Sequence, residues 1–151
     1  MLLESLSACE QKIEKLRHSL DKNRPLLPFN AEVLNNLSDE QQESVDALIL
    51  RYSQSVSMIQ DQIFRGIAYV EQEDLQDKSN RDKSLLMEKL GAIHSANEFG
   101  MAAVLRNKFS HHYLEDSMEQ TERLNLLVEE AYLVIKVYED IVDFLKHKGF
   151  I

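Results

Sequence analysis

The sequence predicts an all-α chain, an up-down helical bundle built on long N-terminal, central and C-terminal helices. Three observations predict it. Among 151 residues only four are Gly and two are Pro. Leu, Glu, Gln and Lys, all good helix formers, are plentiful. No stretch alternates polar and apolar residues as a half-buried strand does; the apolar residues recur instead at three and four positions. A chain of this length is expected to fold as one domain over 1–151, and it is long enough to bury most of its apolar surface.

Leu2, Leu6, Cys9, Ile13, Leu16 and Leu20 form one narrow apolar seam, which predicts an N-terminal helix over 1–24 lying along another helix. Arg24-Pro25-Leu26-Leu27-Pro28 stops it, because proline lacks a backbone donor and disfavours helix in the residue before it. Asn30 caps a short helix through Leu37, and Ser38-Asp39-Glu40-Gln41 reads as a capping box that opens the central helix. That helix carries Val45, Leu48, Tyr52, Val56, Ile59, Ile63, Ile67 and Val70 at helical spacing. The polar stretch from Glu71 to Asn80 is expected to be a loop open to proteolysis. A short helix with Leu85, Leu86 and Leu90 ends at Gly91, a good C-cap, and Ser95-Ala96-Asn97-Glu98 starts the next, through Phe99, Ala102 and Leu105. The last helix runs from near Ser117 to Gly149, with Leu124, Leu127, Ala131, Val134, Tyr138, Ile141 and Leu145 on one face. Lys146, His147 and Lys148 suit the negative end of its dipole.

Composition narrows the function classes. A single cysteine, Cys9, rules out an internal disulfide or a Cys-rich zinc site and suits a reducing compartment, so the expected location is the cytoplasm. No apolar run approaches the roughly 18 residues of a membrane span, and Glu4 follows Met1-Leu2-Leu3 too soon for a signal peptide. A formal net charge of −9 argues against broad charge-driven nucleic-acid binding but leaves room for a local basic cleft. Met58, Met87 and Met101 read as core filler, Glu129-Glu130 as a solvated face, and His94 as a loop residue.

One stretch stands apart. Arg106-Asn107-Lys108-Phe109-Ser110-His111-His112-Tyr113 brings a guanidinium, an amide, an ammonium, two imidazoles and a phenol into eight residues with no acid among them. That set suits cleavage of an RNA phosphodiester. A 2′-hydroxyl must lose a proton, and imidazole is the side chain that titrates nearest neutrality. The transition state gathers negative charge, which an arginine stabilises. Lys108 and His112 are candidate RNA contacts, and Asn107 can orient the phosphate or the imidazole. The adjacent histidines point in different directions, so no metal site is read here, nor any cofactor motif. On a continuous helix positions 106 and 111 lie about 140° apart. Either the helix breaks near Phe109-Ser110, or a second copy of the chain completes the site in a symmetric dimer. The N-terminal seam leaves higher assembly open.

The run R-N-K-F-S-H-H-Y resembles the R-x4-H-x-Y motif of HepT-type toxins in the HEPN ribonuclease superfamily. Asn30–Leu37, Val45–Tyr52, Ile63-Phe64 and Met87–Ile93 resemble that family's blocks in order, so that the similarity covers roughly 30–145. The resemblance implies a HEPN-type bundle that dimerises around two R-x4-H motifs. It implies a metal-independent endoribonuclease cutting tRNA or mRNA to a 2′,3′-cyclic phosphate, within a type VII-like toxin–antitoxin pair. It also implies an antitoxin partner, a minimal nucleotidyltransferase that uses ATP to place AMP on the motif tyrosine. By that resemblance Arg106 stabilises the phosphate, His111 is the acid/base, Asn107 is the polar residue after the arginine, and Tyr113 is the AMPylated one. Gln54, Val56 and Ser57 stand where the family carries a lysine and a Gln-Asp pair, which takes that helix out of the expected contact set. Two other readings stand beside this one, the first keeping the partner that the resemblance implies. One is a non-catalytic helical subunit that docks a nucleotidyltransferase, and the other is a coiled-coil structural protein suggested by the two seams.

Overall fold

Helix starts and stops follow local chemistry throughout. In the computed structural model, which describes residues 1–111 and 117–151 (backbone only for His111 and Ser117), seven α-helices are present. They are α1 Leu2–Asn23, α2 Ala31–Asn35, α3 Asp39–Met58, α4 Phe64–Val70, α5 Asn80–Leu90, α6 Ala96–His111 and α7 Ser117–His147. Arg24–Leu26 is a 3₁₀ turn, and Ile59–Ile63 is a π-helical turn that joins α3 to α4 without a break. No strand occurs among the described residues, and the chain is an all-α helical bundle.

The predicted caps are present as bonds. Asn30 accepts from the Val33 N–H at 2.8 Å, Ser38 and Gln41 form a reciprocal capping box, and Ser79 and Ser95 accept from Asp82 and Glu98 at 3.1 Å. Gly91 ends α5 at φ 89°, a left-handed conformation that glycine adopts without a Cβ penalty. The α2 helix is shorter than expected, closing at Asn35 rather than Leu37.

Both seams are satisfied within the chain. Leu6, Cys9, Ile13, Leu16 and Leu20 are buried, and α1 packs chiefly along α3, so this seam is not free to drive higher assembly. Burial, with the neighbouring Glu10 charge, pushes the Cys9 thiol up to about 12. All seven apolar positions read on the last helix are likewise buried, which removes the basis for a coiled-coil protein. One core joins residues of α1, α3, the π turn, α4, α5, α6 and α7. A smaller cluster of Phe29, Val45 and Leu124 lies beneath the α1–α2 connection. There Asn125 accepts from the Phe29 N–H at 2.8 Å and donates to the Phe29 carbonyl at 2.9 Å, fixing that connection to α7. At the other end Gly66 admits the start of α1, since a Cβ there would meet Leu2 Cδ1 at 2.8 Å.

The π turn was not legible in the apolar spacing. Its Phe64 N–H bonds to the Ile59 carbonyl, five residues back, which adds one residue to the turn. Ile59, Ile63 and Phe64 all face the core, and Gln60 is drawn in with them, only 3% exposed.

Asn125→Ala removes both bonds to Phe29. It should lower unfolding free energy by about 1–3 kcal/mol, read from the urea midpoint at unchanged slope. An unshifted midpoint would show that the connection is held by its apolar contacts alone.

Candidate functional site

Arg106 sits on α6 one turn beyond Ala102, whose carbonyl accepts the buried Tyr52 hydroxyl at 2.7 Å. That bond fixes α6 against α3 at the level where the guanidinium emerges. The Arg106 Nη1 then donates to Ser57 Oγ at 3.2 Å and to Gln60 Oε1 at 3.0 Å. Two of its five N–H groups are therefore held from behind, by the last turn of α3 and by the π turn. On the opposite edge, Nε and Nη2 donate to Asn107 Oδ1 at 3.3 and 3.2 Å. This is the edge that matches a phosphate or carboxylate with two parallel bonds. Asn107 is exposed and occupies it as a neutral acceptor.

The central helix thus has a part that the sequence reading denied it. Ser57 is one of the positions where the family pattern is missing, yet it binds the motif arginine. Gln60 was not singled out at all. A glutamine amid Ile59, Asp61 and Gln62 reads as surface, and only the extra residue of the π turn brings it to Arg106.

Of the two alternatives left open by the sequence, the helix break near Phe109-Ser110 does not occur. α6 runs unbroken from Ala96 to His111, and Ser110 Oγ donates to the Arg106 carbonyl at 3.2 Å within it. Positions 106 and 111 therefore stay about 140° apart round one helix axis. The His111 side chain, His112 and Tyr113 lie outside the described residues. On α7, Arg123 stacks its guanidinium over the Phe109 ring, 5.9 Å from the centroid, adding a cation near the α6–α7 junction.

Beside Arg106 a cleft of about 450 Å³ opens between α5, α6 and α7, a size ordinary for a small-molecule site. Arg81, Arg106 and Lys108 supply cations to its wall, Gln60, Asn80, Asn97 and Asn107 supply amides, and among the described residues Glu130 supplies the single carboxylate. Met101, Val104 and Leu126 line it as apolar surface, 59%, 54% and 40% exposed. Met101 is thus not core filler, although Met87 is fully buried and Met58 packs against the core. His94 is an exposed loop residue, as expected.

Glu130 also departs from the solvated face read for Glu129-Glu130. Glu129 is exposed, but Glu130 is half-buried, and its Oε2 is closed off from water without a hydrogen-bond donor among the described residues. Burial first, then the negative charges of Glu129 and Glu98, raise its carboxyl above the usual range. No ion pair with Arg106 offsets this among the described residues. Relative to the unfolded chain, the folded state therefore gains stability from the protonated form. That contribution is complete below the carboxyl's unfolded value and is lost as pH rises through the folded one.

Compared with known protein families, with characterised proteins and with solved structures, the chain matches none.

Glu130→Gln removes a charge the fold disfavours. The variant should melt above the wild type at pH 7.5, with the gap closing as pH falls below about 4.3, the carboxyl's ordinary value. Thermal melts across that range check it; a gap independent of pH would mean the carboxylate is not the destabilising group.

Proposed function

We propose that this protein is a HEPN-type endoribonuclease, the toxin of a toxin–antitoxin pair, acting as a dimer. The observation that carries the reading is the fixed guanidinium of Arg106. Its Nη1 is tied to Ser57 and Gln60, and among the described residues its two-nitrogen edge is covered only by an exposed, neutral Asn107 oxygen. A phosphate arriving there exchanges a neutral acceptor for an anionic one, and charge-assisted bonds are the stronger. The sequence motif and the ordered blocks around it support the same reading.

In the proposed reaction His111 takes the proton from the 2′-hydroxyl as its oxygen attacks phosphorus. The bond to the 5′-oxygen of the next nucleotide breaks, and that oxygen takes up a proton. The products are a 2′,3′-cyclic phosphate and a free 5′-hydroxyl. Arg106 balances the charge that builds on the non-bridging oxygens. Because α6 is unbroken between positions 106 and 111, Arg106 of one copy works with His111 of a second, across a shared cleft. A nucleotidyltransferase antitoxin that moves AMP from ATP to the Tyr113 hydroxyl, releasing pyrophosphate and the phenolic proton, would fill that cleft and set a phosphate beside Arg106.

A second reading, a non-catalytic subunit that docks the nucleotidyltransferase, draws on the exposed Met101, Val104 and Leu126 next to the motif. The two readings separate on cleavage. Under the first, Arg106→Ala and His111→Ala each lower RNA cleavage by about 10²–10⁴-fold. Gln60→Leu, which unpins the arginine without removing it, should cost about 10²-fold through misplacement. RNA ends sequenced from cells expressing each variant check this, and identical profiles for all of them would reject the enzyme. Intact mass after incubation with the antitoxin and ATP should show AMP adducts that vanish in Tyr113→Phe; a persisting adduct moves the modification elsewhere.

A further inference from the structure

Two buried side chains in the cleft beside Arg106 have donors that the clamp on the arginine leaves unused. Gln60 is only 3% exposed and Ser84, on α5, only 2%, yet both line the cleft, and the π turn that carries Gln60 packs against α5. Arginine only donates, so the Gln60 amide turns its oxygen to Nη1. Its NH₂ group, on the same carbon, stays beside the guanidinium without an acceptor among the described residues. Ser84 is a parallel case. Ser44, Ser55 and Ser110 each donate the hydroxyl to the carbonyl four residues back, at 3.1, 2.8 and 3.2 Å. The Ser84 hydroxyl makes no such bond and meets no other partner among the described residues. Buried polar groups are as a rule bonded, so these unused donors mark a place for a group rich in acceptor oxygens.

We propose that Gln60 and Ser84 complete a phosphate site with Arg106. The Nε–Nη2 edge takes two oxygens side by side, and the Gln60 amide and Ser84 hydroxyl donate to the phosphoryl group from the cleft floor. A carboxylate has two oxygens in one plane, which the guanidinium edge alone satisfies. A tetrahedral phosphoryl group presents oxygens in further directions, where the two floor donors find acceptors. Charge favours an anion as well, since Arg81, Arg106 and Lys108 outnumber the Glu130 carboxylate among the described residues of the wall. Gln60 thereby has two tasks, holding the arginine through its oxygen and the ligand through its nitrogen. The donors alone define the site; that its phosphate belongs to RNA rests on the ribonuclease reading.

The test is binding of dimethyl phosphate, acetate and a short RNA methylated at every 2′-oxygen to the full-length protein, at fixed ionic strength, followed by amide NMR shifts and calorimetry. Dimethyl phosphate and acetate carry the same single charge, so number and placement of oxygens tell them apart. The wild type should bind dimethyl phosphate at least about tenfold more tightly than acetate. Ser84→Ala removes a hydroxyl that no protein group uses. It should weaken dimethyl phosphate and the RNA about tenfold, leave acetate unchanged and leave the melting temperature in place. Gln60→Glu keeps an oxygen for Arg106 but sets an anionic acceptor against the phosphate, and should weaken both about a hundredfold. If that variant does not fold, Ser84→Ala decides alone. Acetate bound as well as dimethyl phosphate, a phosphate affinity unmoved by Ser84→Ala, or no binding of any of the three would each overturn the proposal. The two readings fail separately. Ser84-dependent phosphate binding in a protein that leaves RNA intact keeps the site and rejects the nuclease, whereas RNA cleavage that Ser84→Ala leaves unchanged does the reverse.

Discussion

The arrangement of this molecule turns on a guanidinium fixed before any ligand arrives. Arg106 emerges from α6, but what orients it comes from a different part of the chain, Ser57 and Gln60 some fifty residues earlier. Arginine is flexible, and holding one of its terminal nitrogens in advance spares part of the entropy that binding would otherwise cost. Three features must hold for the clamp to exist. Tyr52 must lock α6 to α3, the π turn must draw Gln60 inward, and α6 must stay helical past Arg106. Each is a packing matter in the core, so the chemistry of the site is tied directly to the bundle beneath it.

The same helix that presents the arginine separates it from the histidine of the motif. Five residues of uninterrupted helix turn position 111 well away from position 106, so within a single copy they do not share a face. In the proposed function a symmetric pair of chains would resolve this without bending any backbone, and assembly would then be a condition of the proposed activity. Glu130 shows a comparable tension. A half-buried carboxylate with an orphaned oxygen and acidic neighbours costs stability. Such local conflicts are where function is to be sought in an otherwise consistent fold.

Much of the fold was legible because it is written in local rules. The Ser38 capping box, the Asn30 cap, the left-handed Gly91 and the two seams depend on neighbours three or four positions away, and each appears where the sequence put it. The π turn was not legible. The spacing of Val56, Ile59, Ile63 and Ile67 fits an ordinary helix equally well, and the turn's packing against α1 and α5 is not written in that spacing. Gln60 and Glu130 were missed for a related reason. A glutamine or a paired glutamate inside a helix reads as surface, and its burial is settled by which neighbour helix crosses there. Met101 failed in the opposite sense, an apolar residue left outside. Ser57 stood out only as a departure from a family pattern, and it took the three-dimensional contact to give it a task.

The most direct test is a crystal structure of the protein with a short RNA methylated at every 2′-oxygen, which binds but cannot be cut. The account predicts a phosphate on the Nε–Nη2 edge of Arg106, with Asn107 turned aside, Ser57 and Gln60 still on Nη1, and His111 of a second copy facing the same linkage. An RNA bound elsewhere, with the Arg106–Asn107 contact undisturbed and no second copy across the cleft, would contradict it.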